Sequence, residues 1–245
     1  MSGILRIELK RPEKRNALDR DTVRRLRATL EEAAMEPKGR VILLTAQGRD
    51  FCSGADLSEL KRIRHASVLE NLEDARELGE LFVAMRQHPL PIIAAVRGRA
   101  LAGGCGLATA CDLIVASDIA QFGYPETRIG FVPAMVMAIL RRTVPEKVAF
   151  DMLTTGRILT AREAFEVGLV SRIVADVDLE GAAEELAGDL ASRSASAVQL
   201  TKRLLYQMDG MSYANAIEAG AQVNAIARLT PDCQEGIDRF FKKGI

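Results

Sequence analysis

The sequence has no tryptophan and only two histidines, and aromatic residues make up 4% of its 245 positions. His65 and His88 are too few to found a histidine-based zinc site. Cys52, Cys105, Cys111 and Cys233 form no C-x-x-C pair that could hold a metal or act as a redox dithiol. No metal site is therefore expected. A chain of this length buries a core without disulfide staples, so reduced thiols and a cytoplasmic location are expected. Net charge is also missing: 33 Lys and Arg balance 33 Asp and Glu. Without a global field, neither a nucleic acid nor a membrane surface is expected as partner. No apolar run approaches the roughly 20 residues of a membrane span. The opening MSGILRIELK lacks the basic start, apolar run and small-residue cleavage site of a secretory signal. Linkers rich in Gly, Pro or Ser, sequence repeats and low-complexity tracts are absent as well.

What is present is 48% hydrophobic and 27% charged residues, the balance of a large globular chain. Leu5, Ile7 and Leu9 alternate as in a half-buried strand, and Val23, Leu26, Leu30 and Ala33 share one face of a helix. Val41 to Thr45 reads as a second strand. Ser67 to Gln87 reads as a helix with Leu72, Leu78, Leu81 and Met85 spaced for burial. PIIAAV and DLIVAS are fully apolar strands flanking the glycine-rich RGRALAGGCGLATA. Strands alternating with helices imply an α/β fold with a largely parallel sheet covered on both faces. From Met135 onward most segments read as helix, interrupted by the short strand candidate GLVSRIV, and beyond Leu179 helices follow one another without strands. The apolar faces there, including Leu204, Leu205, Ile217, Ile226 and Leu229, call for packing on the core or on another subunit.

Three segments could carry chemistry. Gly103, Gly104 and Gly106 lie where a buried strand hands over to a helix, a place that offers backbone N–H groups to an anion or a developing oxyanion. GCGLAT misses the dinucleotide fingerprint G-x-G-x-x-G because Thr109 replaces its last glycine. Small residues there serve close helix-to-sheet packing equally well. FCSGADL is a second small-residue turn, in which Asp56 suits a helix cap. Ser53 lacks the G-x-S-x-G elbow of a serine hydrolase, and both histidines suit surface or helix-end roles. The third segment, AQFGYPETRIG, sets Glu126 among apolar and aromatic neighbours, where desolvation raises a carboxyl pKa into the range of a general acid or base. A salt bridge to Arg128 is the plain alternative.

Taken in order, RPEKRNAL, FCSGADL, AVRGRALAGGCGLATACDLIVAS, FGYPETRIGFVP and the ending EGIDRFFKK resemble the enoyl-CoA hydratase and isomerase, or crotonase, family over essentially the whole chain. The resemblance implies a spiral of strand-strand-helix repeats over residues 1–190. It assigns residues 191–245 to a C-terminal helical region that assembles homotrimers or homohexamers. It also implies an acyl-CoA substrate whose coenzyme A is part of the substrate, with no separate cofactor. Carried over residue by residue, the N–H groups of Ala55 and Gly103 form an oxyanion hole and Glu126 is the catalytic carboxylate. Arg15, Ala17, Ser53, Asp56, Leu57, Gly106 and Lys243 are assigned to substrate binding. The sequence departs from the family pattern in one place, since hydratases carry a second catalytic glutamate where Gly106 stands. The reading ranks enoyl-CoA hydratase first. Next comes a Δ3-Δ2-enoyl-CoA isomerase using Glu126 alone, and last an inactive member serving as a binding scaffold.

Overall fold

The computed structural model describes residues 3–242. The N-terminal alternation becomes β1 (Ile4–Leu9), with Ile7 and Leu9 buried and Arg6 and Glu8 exposed. Helix α1 (Arg20–Ala34), capped by the Asp19 carboxylate on Thr22 N, buries Val23, Leu26, Leu30 and Ala33 as their spacing requires. Next come β2 (Val41–Ala46), α2 (Leu57–Ile63) and α3 (Val68–Gln87), the last opened by a capping box between Ser67 and Glu70. Strand β3 (Ile92–Val96), the short β4 (Arg99–Leu101) and α4 (Gly103–Thr109) form one strand-strand-helix unit. The next unit is β5 (Leu113–Ser117), β6 (Gln121–Gly123) and α5 (Ala134–Thr143). Helix α6 (Glu146–Thr155), β7 (Ile158–Thr160), α7 (Ala161–Glu166), β8 (Arg172–Val174) and α8 (Leu179–Ala191) complete the mixed part. Only helices follow: α9 (Ala195–Gln207), α10 (Tyr213–Arg228) and α11 (Pro231–Lys242).

The main sheet is parallel throughout, in the order β1-β2-β3-β5-β8. Its central strands feed both faces, as the two-residue period dictates. Ile42 and Leu44 pack on the side of α1 and α3, while Val41 and Leu43 meet Leu179, Ala183, Leu186 and Ala187 of α8. A second sheet, β4-β6-β7, has strands of three residues, too short to show a period in the sequence.

Two placements differ from expectation. Leu72 is 43% exposed, whereas Leu78 further along α3 packs on the core and Leu81, Phe82 and Met85 are buried in it. His88 ends α3 as expected but is buried, not on the surface. Its Nε2 lies 2.9 Å from Leu30 O, and its Nδ1 lies 3.1 Å from Leu90 N and 3.2 Å from Leu90 O. Burial pushes its pKa down.

Candidate active site

The turn after β2 is clamped from both sides. Cys52 N donates to Arg99 O and Leu101 N to Cys52 O, which fastens the turn to β4. On the other side Leu18 N donates to Gly54 O at 2.7 Å and Asp56 N to Leu18 O at 2.9 Å. Ala55 sits between these bonds with its N–H turned away from Leu18, and among the described residues that N–H has no acceptor. Gly54 takes φ +92, and a side chain there would collide with Ala102 Cβ at 2.8 Å. The same Cβ position lies only 3.6 Å from Gly103 N. The FCSGAD turn and the glycine-rich turn therefore meet at Ala55 and Gly103.

The second turn is strained. Ala102 adopts φ 51 and ψ −129, a conformation that a residue with a side chain rarely holds, and its N–H is committed to Gly123 O. That sharp bend lets α4 start at once at Gly103, whose N–H finds no acceptor among the described residues, as expected in a first helical turn. The two residues whose N–H groups lack an acceptor line the same cavity.

Glu126 comes from a 3-10 turn, Pro125–Ile129, closed by Phe131 N donating to Glu126 O. Two residues upstream, the fully buried Tyr124 bonds Thr109 Oγ1 at 2.9 Å, and Thr109 in turn donates to Cys105 O. The turn bearing Glu126 is thus tied to the helix that begins at Gly103. Arg128 does not pair with Glu126; its guanidinium donates to Gly156 O at 2.8 Å. Glu126 Oε2 is buried without a hydrogen-bond partner among the described residues, and desolvation raises the carboxyl pKa.

Ser53, Ala55, Gly103 and Glu126 line one cavity of about 380 Å³, otherwise walled largely by apolar side chains such as Leu18, Leu78, Val132 and Met135. Among the described residues, Arg15, Ala17, Asp56 and Gly106 lie outside its lining. Arg15 is exposed and Ala17 buried. Between them Asn16 donates to Gln47 O and Asp50 O and accepts from Arg11 N, while Arg15 O receives Ser53 N. The RPEKRNAL loop therefore holds the Ser53 turn in register. Asp56 is consumed structurally: it caps α2 through Ser58 and pairs with Arg11 at 2.9 Å. Those bonds hold its pKa at about 2. Leu57 opens α2. Gly106 is buried inside α4, and a Cβ there would run into Val136 Cγ1 and lie 3.0 Å from Phe82 Cζ. Lys243 lies outside the described residues. Sequence reasoning passed over Asn16, Ala102 and the Thr109–Tyr124 bond. Only Thr109, standing where a fingerprint glycine would be, offered a signal.

A cavity lined by two residues with free N–H groups and by the desolvated Glu126 would suit a carbonyl compound whose neighbouring carbon loses a proton. The comparisons with known proteins agree in kind. The model of the enoyl-CoA hydratase/isomerase family matches residues 1–245. A Thermus thermophilus protein bearing the provisional name of an enoyl-CoA hydratase is 41% identical over 232 residues, covering 95% of this chain and 92% of its own. The 2,3-dehydroadipyl-CoA hydratase of Escherichia coli is 35% identical, with 98% of this chain and 92% of that protein covered. The crystal structure of an enoyl-CoA hydratase from Mycobacterium smegmatis superposes with a TM-score of 0.95 at 30% identity, covering 99% and 93% of the two chains. With the fold, both turns and the PETRIG glutamate in place, the chain belongs to the enoyl-CoA hydratase/isomerase, or crotonase, family.

Proposed function

We propose that this protein moves the double bond of a 3-enoyl-CoA to the 2,3 position, with Glu126 as its one proton carrier. The observation that carries this reading is the environment of Gly106: Val136 and Phe82 fill the space that a second carboxylate would need. In the reaction, the Glu126 carboxylate takes a proton from C2, and the electron pair moves through the conjugated system onto the thioester oxygen. The N–H groups of Ala55 and Gly103 stabilise that dienolate; loss of one such donor typically costs about 3 kcal/mol of barrier stabilisation. The protonated Glu126 then returns the proton at C4, the 2,3 double bond forms and the carboxylate is regenerated. The cycle consumes no water and calls for no cofactor beyond the coenzyme A of the substrate. The apolar walls suit it, since they disfavour solvent beside the dienolate.

Hydration of a 2-enoyl-CoA is the second reading, favoured by the names of relatives such as the 2,3-dehydroadipyl-CoA hydratase. It requires one carboxylate and ordered water to perform both water activation and C2 protonation. Following 3-hexenoyl-CoA and crotonyl-CoA in parallel by the absorbance of the conjugated thioester separates the two. Isomerisation makes that absorbance rise with the first substrate, and hydration makes it fall with the second. A flat trace with both supports the scaffold reading instead.

A further inference from the structure

Ala55 is held in place by a side chain that lies outside the cavity. Leu18 and Ala55 form an isolated parallel bridge, in which Leu18 N donates to Gly54 O and Asp56 N to Leu18 O. The Arg11 guanidinium grips this bridge from both sides. Its Nη1 donates to Ala17 O at 2.6 Å and meets Asp19 Oδ2 at 2.9 Å, while its Nη2 meets Asp56 Oδ2 at 2.9 Å. Ala17 and Asp19 flank Leu18, and Asp56 follows Ala55. One planar fork therefore spans the two segments whose register sets the position of the Ala55 N–H.

Charge makes this grip more than a tether. Each carboxylate spends its other oxygen on a helix start: Asp19 Oδ1 accepts from Thr22 N of α1, and Asp56 Oδ1 from Ser58 N of α2. Without the guanidinium the two carboxylates would repel each other across the bridge. Asp56, which is buried, would be driven toward solvent and would draw Ala55 with it. A lysine in place of Arg11 keeps the charge but loses the fork that reaches both carboxylates at once. Arg11 does not line the cavity, so its effect on a bound ligand passes through the turn it holds.

We propose that Arg11 is a positioning residue of the oxyanion hole, which aims the Ala55 N–H at a thioester carbonyl by bridging Asp19 and Asp56. This rests on the acyl-CoA reading. Hexanoyl-CoA, isotopically labelled at its thioester carbonyl, serves as the probe: it has no double bond to move or hydrate, and its carbonyl infrared frequency falls when N–H groups polarise it. The frequency should drop on binding to the full-length wild type. In Arg11→Met most of that drop should vanish, while affinity measured by titration calorimetry changes less than about threefold. On the substrate that the wild type turns over, kcat should fall about tenfold or more with KM within about threefold. Arg11→Met/Asp56→Asn removes the repulsion and keeps an N-cap for α2, so it should recover part of the carbonyl shift and of the rate. A full shift and rate in Arg11→Met overturns the proposal, as does a double variant no better than the single one. If Arg11→Met does not fold, Arg11→Lys decides: an intermediate shift supports the proposal and a wild-type shift overturns it. A wild type that polarises the carbonyl but turns over neither 3-hexenoyl-CoA nor crotonyl-CoA would sink the isomerase reading and leave this one standing. Binding of hexanoyl-CoA to the wild type with no carbonyl shift would overturn this proposal whichever reaction is found.

Discussion

With Glu126 as the proposed proton carrier, two consequences of its burial can be measured. For Glu126→Gln, turnover of the true substrate should fall at least about a hundredfold while acyl-CoA affinity persists. In the wild type, kcat/KM should drop as pH falls through a pKa above the ordinary glutamate value, because burial raises it and the base must be ionised. The sign for stability is opposite. A carboxyl whose pKa is raised on folding favours the native state below its unfolded pKa and loses that contribution as pH rises through the folded value. Glu126→Gln should therefore melt at a higher temperature than the wild type near pH 7 and show no such gain near pH 4. A near wild-type rate in the variant would assign the proton to another group. Gly106 makes a second case. Gly106→Glu would not simply add a hydratase acid, since even a methyl group at this position meets Val136 and Phe82. Overpacking of this kind costs about 1–3 kcal/mol, so the variant should melt lower and gain no hydration of crotonyl-CoA. Motif order alone pointed to Ala55, Gly103 and Glu126. That Gly106 is closed by a neighbour 30 positions along the chain was invisible to it, because side-chain packing between α4 and α5 leaves no local pattern.

Helix α9 shows how an element can be placed by polar contacts that periodicity does not register. Its apolar residues are at best half-buried, whereas Lys202 is 7% exposed. The ammonium donates to Asp112 at 2.7 Å and to the carbonyls of Leu90 and Met85. Asp112 also accepts from Tyr206 Oη at 2.6 Å and Ile92 N at 2.6 Å, and Arg86 stacks over the Tyr206 ring. Burial lowers the Lys202 pKa against the pull of Asp112, so the ion pair works mainly as a specific lock. Removing one partner strands the other. Asp112→Ala should cost about 3–5 kcal/mol in denaturant unfolding. A loss below about 1 kcal/mol would show that α9 is held by its apolar contacts after all. By contrast α1, whose buried positions follow its apolar stripe, was readable from the sequence residue by residue. The difference is physical: a stripe advertises a buried face, but one lysine among surface lysines does not.

The parallel sheet and its two helical layers were legible because continuous apolar runs have few other uses, while β4, β6 and β7 are three residues each and carry too little pattern. At the far end of the chain the helices leave much apolar surface in solvent. Ile217 is 59% exposed, Leu229 82%, Phe240 65% and Phe241 73%. Apolar side chains in such number on α10 and α11 are the mark of an unfinished interface, and the expected assembly is a homotrimer or a homohexamer. Truncation near Ser192 would confuse two effects, since it also deletes Lys202 and Tyr206 and leaves Asp112 without them. Ending the chain after Gly210 keeps α9 and its lock while removing α10 and α11. The full-length protein should scatter light as a trimer or a multiple of it, and the shortened chain should lose assembly while keeping the melting transition of its α/β part. If the full-length chain instead ran as a soluble, monodisperse monomer, the exposed faces of α10 and α11 would need another explanation, because nothing within the described chain covers them.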